Sequence, residues 1–222
     1  MIVASPKSIT ELKTLIAGHK KVLFAGCGTC AAVCLAGGER EVDIAAYAIR
    51  MSGKLDRNPI EVSRITVERQ CDNEFLKELD EPASKVDAIV SFGCGVGAQA
   101  IAERFPNLPV YAALNTQFMG ALESQAVWTE KCLGCGDCML ARFGGICPVT
   151  RCAKRLLNGP CGGSQENRCE VDSDKPCAWR LIYDRLKRIG QLDRLEEVVP
   201  PKDWSTAWYS GARKVVRKEH QV

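Results

Sequence analysis

Cysteine is the residue that most constrains this chain. Thirteen occur in 222 residues, and most fall in runs whose spacing suits metal rather than disulfide pairing. The densest run is Cys132-x2-Cys135-x2-Cys138, followed by Cys147-Pro148. Three thiolates at two-residue spacing on one tight loop can aim three sulfurs at three irons of a cubic cluster. A tetrahedral zinc site more often takes two separated pairs. The spacing therefore predicts iron–sulfur chemistry, with structural zinc as the alternative. The odd count, the metal-type spacings and a chain that is not small together predict a reducing, cytoplasmic compartment.

Composition narrows function mainly by exclusion. A hydrophobic content of 46% and a charged content of 26% are those of a globular protein, with room for one large domain or two smaller ones. A net charge of +3 is too small to argue for nucleic acid. Arg213, Lys214, Arg217 and Lys218 read as a solvated basic tail. No apolar run approaches the ~20 residues of a membrane span. The start, MIVASPKS, lacks a signal-peptide pattern. His19 and His220 neighbour no plausible nucleophile and read as surface residues. Without clustered carboxylates or a poised histidine, no catalytic residue is expected on this chain.

Residues 1–120 read as an α/β domain. Ser8-x-x-Glu11 is a capping box, and Ile9, Leu12 and Ile16 form one helical face. Apolar runs at 22–25, 60–67, 88–92 and 110–114 read as strands. Between them, Val42, Ala45, Ala46 and Ile49, then Phe75, Leu76 and Leu79, then Ala98, Ile101, Ala102 and Phe105 recur at helical spacing. Such alternation predicts a Rossmann-like parallel sheet, with a ligand site beyond the carboxyl ends of the strands at the switch point. Cys27, Cys30, Cys34, Cys71 and Cys94 fall near that edge. One 4Fe–4S cluster needs four of them, and Cys34 or Cys71 could instead be a small buried hydrophobe. Gly93-x-Gly95-x-Gly97 offers a rival reading as a nucleotide loop, but its spacing departs from the dinucleotide fingerprint.

Residues 121–222 read as a cysteine-rich, ferredoxin-like iron–sulfur module with a C-terminal helix and tail. The run resembles the bacterial ferredoxin pattern C-x2-C-x2-C-x3-C-P with its last spacing stretched to eight. Eight cysteines lie here: Cys132, Cys135, Cys138, Cys147, Cys152, Cys161, Cys169 and Cys177. They suffice for two cubic clusters, or for one cluster and one four-cysteine zinc site. In two-cluster ferredoxins the cysteine before the proline binds the other cluster, which by analogy groups Cys147 with the later four. Trp179, Ile182, Leu186 and Ile189 then follow helical spacing, and Gly190 reads as a stop. Trp204 and Trp208 read as core, with partner binding as the alternative.

These strings carry a family resemblance. CLGCGDCMLARFGGICPVTRCAKRLLNGPCGGSQENRCEV, then PCAWRLIYDRL, resembles the methylenetetrahydrofolate reductase C-terminal cysteine-rich domain. AGCGTCAAVCLAGGEREV, with SFGCGVGAQ, resembles the small iron–sulfur (MetV-type) subunit of the acetogen-type reductase. The resemblance implies an electron-transfer subunit beside a separate flavin-bearing TIM-barrel catalytic subunit. That partner would reduce methylenetetrahydrofolate to methyltetrahydrofolate in the methyl branch of the Wood–Ljungdahl pathway. It implies Cys27, Cys30, Cys34 and Cys94, with Cys71 open, as ligands of the N-terminal cluster, and the eight later cysteines as ligands of the remaining sites. Three 4Fe–4S clusters are the expectation, with zinc at one site as the alternative. The flavin belongs to the partner, and a ferredoxin or a further electron-input subunit is left open. The rival to electron transfer is a zinc-stabilised structural subunit of the same complex.

Overall fold

The computed structural model describes residues 1–207 and 211–220. Trp208 and the side chain of His220 lie outside the described residues. The chain divides into two compact units, Met1–Thr129 and Glu130–Val222.

In the first unit, strand β1 (Ile2–Pro6) leads to helix α1 (Ile9–Leu15). The Ser8 hydroxyl accepts the Glu11 amide at 3.1 Å, as the capping pattern requires. Then follow β2 (Lys21–Cys27), α2 (Cys30–Val33), α3 (Glu39–Leu55), β3 (Glu61–Val67), α4 (Asn73–Leu76), α5 (Asp80–Ala83), β4 (Ala88–Ser91), α6 (Gly95–Arg104) and β5 (Val110–Ala112). The fold is mixed α/β, with a parallel four-stranded sheet in the order β3-β2-β4-β5.

The apolar runs are continuous because this sheet is covered on both faces. From β2, Val22 and Phe24 enter one core with Leu12, Ile16, Val42, Ala46 and Ile49. Leu23 and Ala25 enter the other with Leu76, Leu79, Ile89 and Ile101. After β2 the chain passes outward to β3, then returns to place β4 on the other side of β2. The carboxyl ends of β2 and β4 therefore flank the switch point, where open α/β sheets bind ligands.

A second sheet lies outside the sequence-based expectation. β1 pairs antiparallel with β6 (Leu114–Ser124), in register Pro6↔Leu114 to Ile2↔Met119 with a shift between Val3 and Ala4. β6 in turn neighbours β7 (Val127–Cys132). Of β6 only Leu114 is fully buried, so the strand has no clean apolar alternation to read. Trp128 of β7 packs against the first core, which moves the unit boundary from the expected 120 to 129.

The second unit has little regular structure beyond α7 (Pro148–Arg151) and α8 (Ala178–Arg188). Its core is Phe143, Cys177, Trp179, Ile182, Leu186 and Val199. The Phe143 and Trp179 rings meet edge to face at 5.6 Å. The Trp179 indole donates to the Leu156 carbonyl at 3.1 Å. Trp179, Ile182 and Leu186 of the expected stripe are buried on α8, whereas Ile189 is its exposed C-cap, and Gly190 at φ +68° follows in the left-handed conformation that suits glycine. Among the described residues no helix is long and apolar enough to cross a membrane.

Candidate metal centres

The parallel sheet delivers thiols to one rim from separate strand ends. Cys27 closes β2, and Cys30 opens α2 just beyond it. Cys71 follows β3, and Cys94 follows β4 as the N-cap of α6. These four are neighbours through space. The Cys71 thiol is held above its ordinary value by partial desolvation first, and then by the negative charge of Cys27, Cys94 and Cys30. The fifth cysteine, Cys34, is only 5% exposed and joins the first core. Its thiol faces backbone carbonyls, Ala31 at 3.4 Å and Ala4 at 3.8 Å. Burial pushes that thiol up, as for a small hydrophobe.

One side chain ties the rim together. Gln70, next to Cys71, is fully buried. Its Nε2 donates to the Ala25 carbonyl at 2.7 Å and to the Gly26 carbonyl at 3.0 Å, just before Cys27. Its Oε1 accepts the Ser91 hydroxyl at 2.6 Å, and the Ser91 oxygen accepts the Gly93 amide at 3.2 Å, just before Cys94. A buried amide satisfied on both sides is a stiff joint. It fixes the backbone leading to three of the four thiols. The glycines around Cys94 follow from it. A Cβ on Gly93 would lie 2.3 Å from Gln70 Oε1, and one on Gly97 would lie 2.7 Å from Gln70 Cβ. Space for Gln70 thus accounts for two of the three glycines that offered a nucleotide-loop reading, Gly93 and Gly97. Sequence reasoning misses Gln70 because a lone glutamine after a strand carries no local signal.

In the second unit Cys152, Cys161, Cys169 and Cys177 line one small, partly open cavity together with Lys154 and Glu170. Cys169 and Cys177 are brought in by a tight loop. The Cys169 amide donates to Lys175 O at 2.9 Å, and the Cys177 amide to Asn167 O at 2.8 Å. Cys177 is the N-cap of α8. Burial raises its thiol, but the amides of Arg180 and Trp179 in the first helical turn and the Ser164 hydroxyl more than offset this, and the thiol lies below its ordinary value. Cys132, Cys135, Cys138 and Cys147 do not line that cavity. Cys132 ends β7 and accepts the Gly134 amide at 3.3 Å. Cys147 caps α7, with Pro148 at its first position. Cys147 is not among the residues lining the cavity of the later four.

The donor set is thiolate throughout, which suits soft metal sites and clusters. Among the described residues, no three His, Cys, Asp or Glu side chains are gathered as a single metal ion would gather them. Around one zinc the sulfurs stand about 3.8 Å apart, from a Zn–S bond of about 2.3 Å. In a cubic cluster each thiolate binds a different iron, so the four sulfurs stand wider.

Residues 111–205 match the family described as methylenetetrahydrofolate reductase C terminal. The matched segment links the second unit to methylenetetrahydrofolate reductase. It contains all eight cysteines from Cys132 to Cys177 and covers less than half of the chain. The five thiols of the first unit lie before it. No curated protein and no solved structure matches the chain.

Proposed function

We propose that this chain is the iron–sulfur electron-transfer subunit of a methylenetetrahydrofolate reductase complex, of the MetV type. It passes electrons to or from the flavin of a separate TIM-barrel catalytic subunit that reduces methylenetetrahydrofolate to methyltetrahydrofolate. A ferredoxin or a further subunit supplies or accepts the electrons at its other end. The reading places the complex in one-carbon metabolism, in the methyl branch of the Wood–Ljungdahl pathway. The observation that carries it is the gathering of Cys27, Cys30, Cys71 and Cys94 at the switch point of the sheet, on the same chain as the reductase-related segment.

On this reading each 4Fe–4S cluster, when bound, supplies one-electron storage and transfer. Cys27, Cys30, Cys71 and Cys94 hold the first, and Cys34 stays in the core. Gln70 keeps the ligand-bearing turns in register. Cys132, Cys135, Cys138 and Cys147 hold the second, where the Gly134 amide donates to the Cys132 sulfur. Cys152, Cys161, Cys169 and Cys177 hold the third metal.

At that third site the zinc alternative has support of its own. The cavity between its four thiols has about 20 Å³ of free space, roughly the room of one water-sized guest. That is too small for a cube of iron and sulfide, and a single ion there would require the four thiols to close around it. Assay of iron, sulfide and zinc per chain in anaerobically purified protein, alone and with its flavoprotein partner, tests the whole reading. About twelve irons means three clusters, and about eight irons with one zinc means two clusters and a structural ion. Zinc with little iron would leave a scaffold and remove the electron-transfer role.

A further inference from the structure

The stretch after α8 lies across the Cys132–Cys138 loop. Lys202 is a buried cation, its side chain only 2% exposed. Its ammonium donates to the Asp137 carbonyl at 2.6 Å and to Asp137 Oδ2 at 3.1 Å. It also lies 5.7 Å from the centre of the Trp204 ring. The Thr206 hydroxyl donates to the Cys135 carbonyl at 3.0 Å. Arg213 donates to the Gly134 carbonyl at 2.9 Å and to the Thr206 carbonyl at 2.8 Å. Three loop carbonyls, at 134, 135 and 137, are thus taken up from this one stretch. The approach is close. Gly136 has φ +85°, and a Cβ there would lie 2.4 Å from the Thr206 carbonyl oxygen. Arg213, which reads from sequence as a charge on a solvated tail, is a loop contact.

A solvent-exposed ion pair needs none of this. Burying an ammonium is costly unless nearby negative charge offsets it. Asp137 is half exposed and supplies only part of that charge. The Cys135 side chain also lies beside Lys202, so the ammonium stands against the cysteine-bearing loop itself.

We propose that Lys202, supported by Arg213, is the positive charge that sets the reduction potential of the metal centre on the Cys132-x2-Cys135-x2-Cys138 loop. The inference rests on the iron–sulfur reading above. Reduction adds one electron to a centre already ringed by thiolates, so a fixed ammonium beside one of them stabilises the reduced form more than the oxidised form. Local charge and burial are the levers by which a protein tunes such a centre. Lys202 is a positioning and tuning residue, not a ligand.

The test is a redox titration of the full chain followed by electron paramagnetic resonance, after iron, sulfide and zinc have been assayed on the same samples. Dithionite supplies one electron per centre, and no bond in the chain forms or breaks. Lys202→Gln is expected to lower the midpoint of one signal by at least a tenfold change in the reduction equilibrium, about 59 mV for one electron. Asp137→Asn removes a negative charge and is expected to move the same signal upward. Lys202→Arg keeps the charge and is expected to restore the midpoint. A control, Lys85→Gln on the exposed Lys85–Glu81 pair of the other unit, is expected to leave all midpoints in place. Full iron content with unmoved midpoints in Lys202→Gln would overturn the proposal. So would shifts of the same sign in Lys202→Gln and Asp137→Asn, which a purely structural role would produce. If Lys202→Gln fails to hold iron, an unmoved midpoint in Asp137→Asn overturns the proposal just as well. A wild-type chain without iron overturns the electron-transfer reading itself, and the metal assay separates that outcome from the others.

Discussion

The two units gather thiols by opposite means. In the first, a parallel sheet with apolar cores on both faces stands ready-made, and its strand ends carry Cys27, Cys71 and Cys94 to one rim. In the second, the core is six buried residues around α8, Cys177 among them, and most of the eight thiols sit on loops with short bridges such as Gln165↔Arg168 and Arg168↔Pro176. A small core with long irregular connections seldom closes the balance against chain entropy unaided. The first unit should therefore be a fold that holds metal, and the second a fold that metal completes.

The largest expected effect tests that contrast directly. Stripping metal from the anaerobic full chain with chelators should leave the first unit resistant to limited proteolysis and open the second to rapid cleavage. Equal resistance of both halves would break the comparison. A core substitution probes the first unit by itself. Phe24→Ala, at a fully buried position, should cost about 3–5 kcal/mol in denaturant unfolding of that unit. The thiol sites of the second unit should keep their metal.

Smaller effects sharpen the account of the rim. Gln70→Ala leaves two backbone carbonyls and the Ser91 hydroxyl without their partner, and should cost about 1–3 kcal/mol. It should also release the metal of the first unit, seen as a loss of about four irons per chain. Retention of full iron with the stability loss would make Gln70 a core residue only. The smallest effect is expected at Cys34. Cys34→Ala should keep all metal and cost about 1 kcal/mol, as the loss of one buried atom from the core. Cys71→Ser should lose the first cluster. The reverse pattern would return Cys34 to the ligand set and exclude Cys71.

Much of the first unit is legible in the sequence. A strand buried on both faces must be apolar throughout, so Val22-Leu23-Phe24-Ala25 and Ala88-Ile89-Val90 announce themselves. The small sheet is not legible. β6 faces solvent along most of its length, so its residues carry no pattern, and β1 has meaning only once β6 lies beside it. Thiol spacing alone marks both candidate metal regions. It does not separate Cys34 from Cys71, because a cysteine four residues along a helical turn and one at a distant strand end are equally good partners until the fold places them.

By itself, then, the sequence determined the thiol donors available and the mixed α/β class of the first unit. Soft thiolate donors and alternating apolar runs are local properties, written in residue type and spacing. The tertiary structure alone decided which thiols meet, and which groups without a motif serve them. Cys71 reaches Cys27 and Cys94 only because β3 and β4 flank β2 in the sheet. Gln70, Lys202 and Arg213 matter through contacts that span from 21 to 79 residues of chain. Those contacts exist only after the backbone has closed, and no local pattern encodes them.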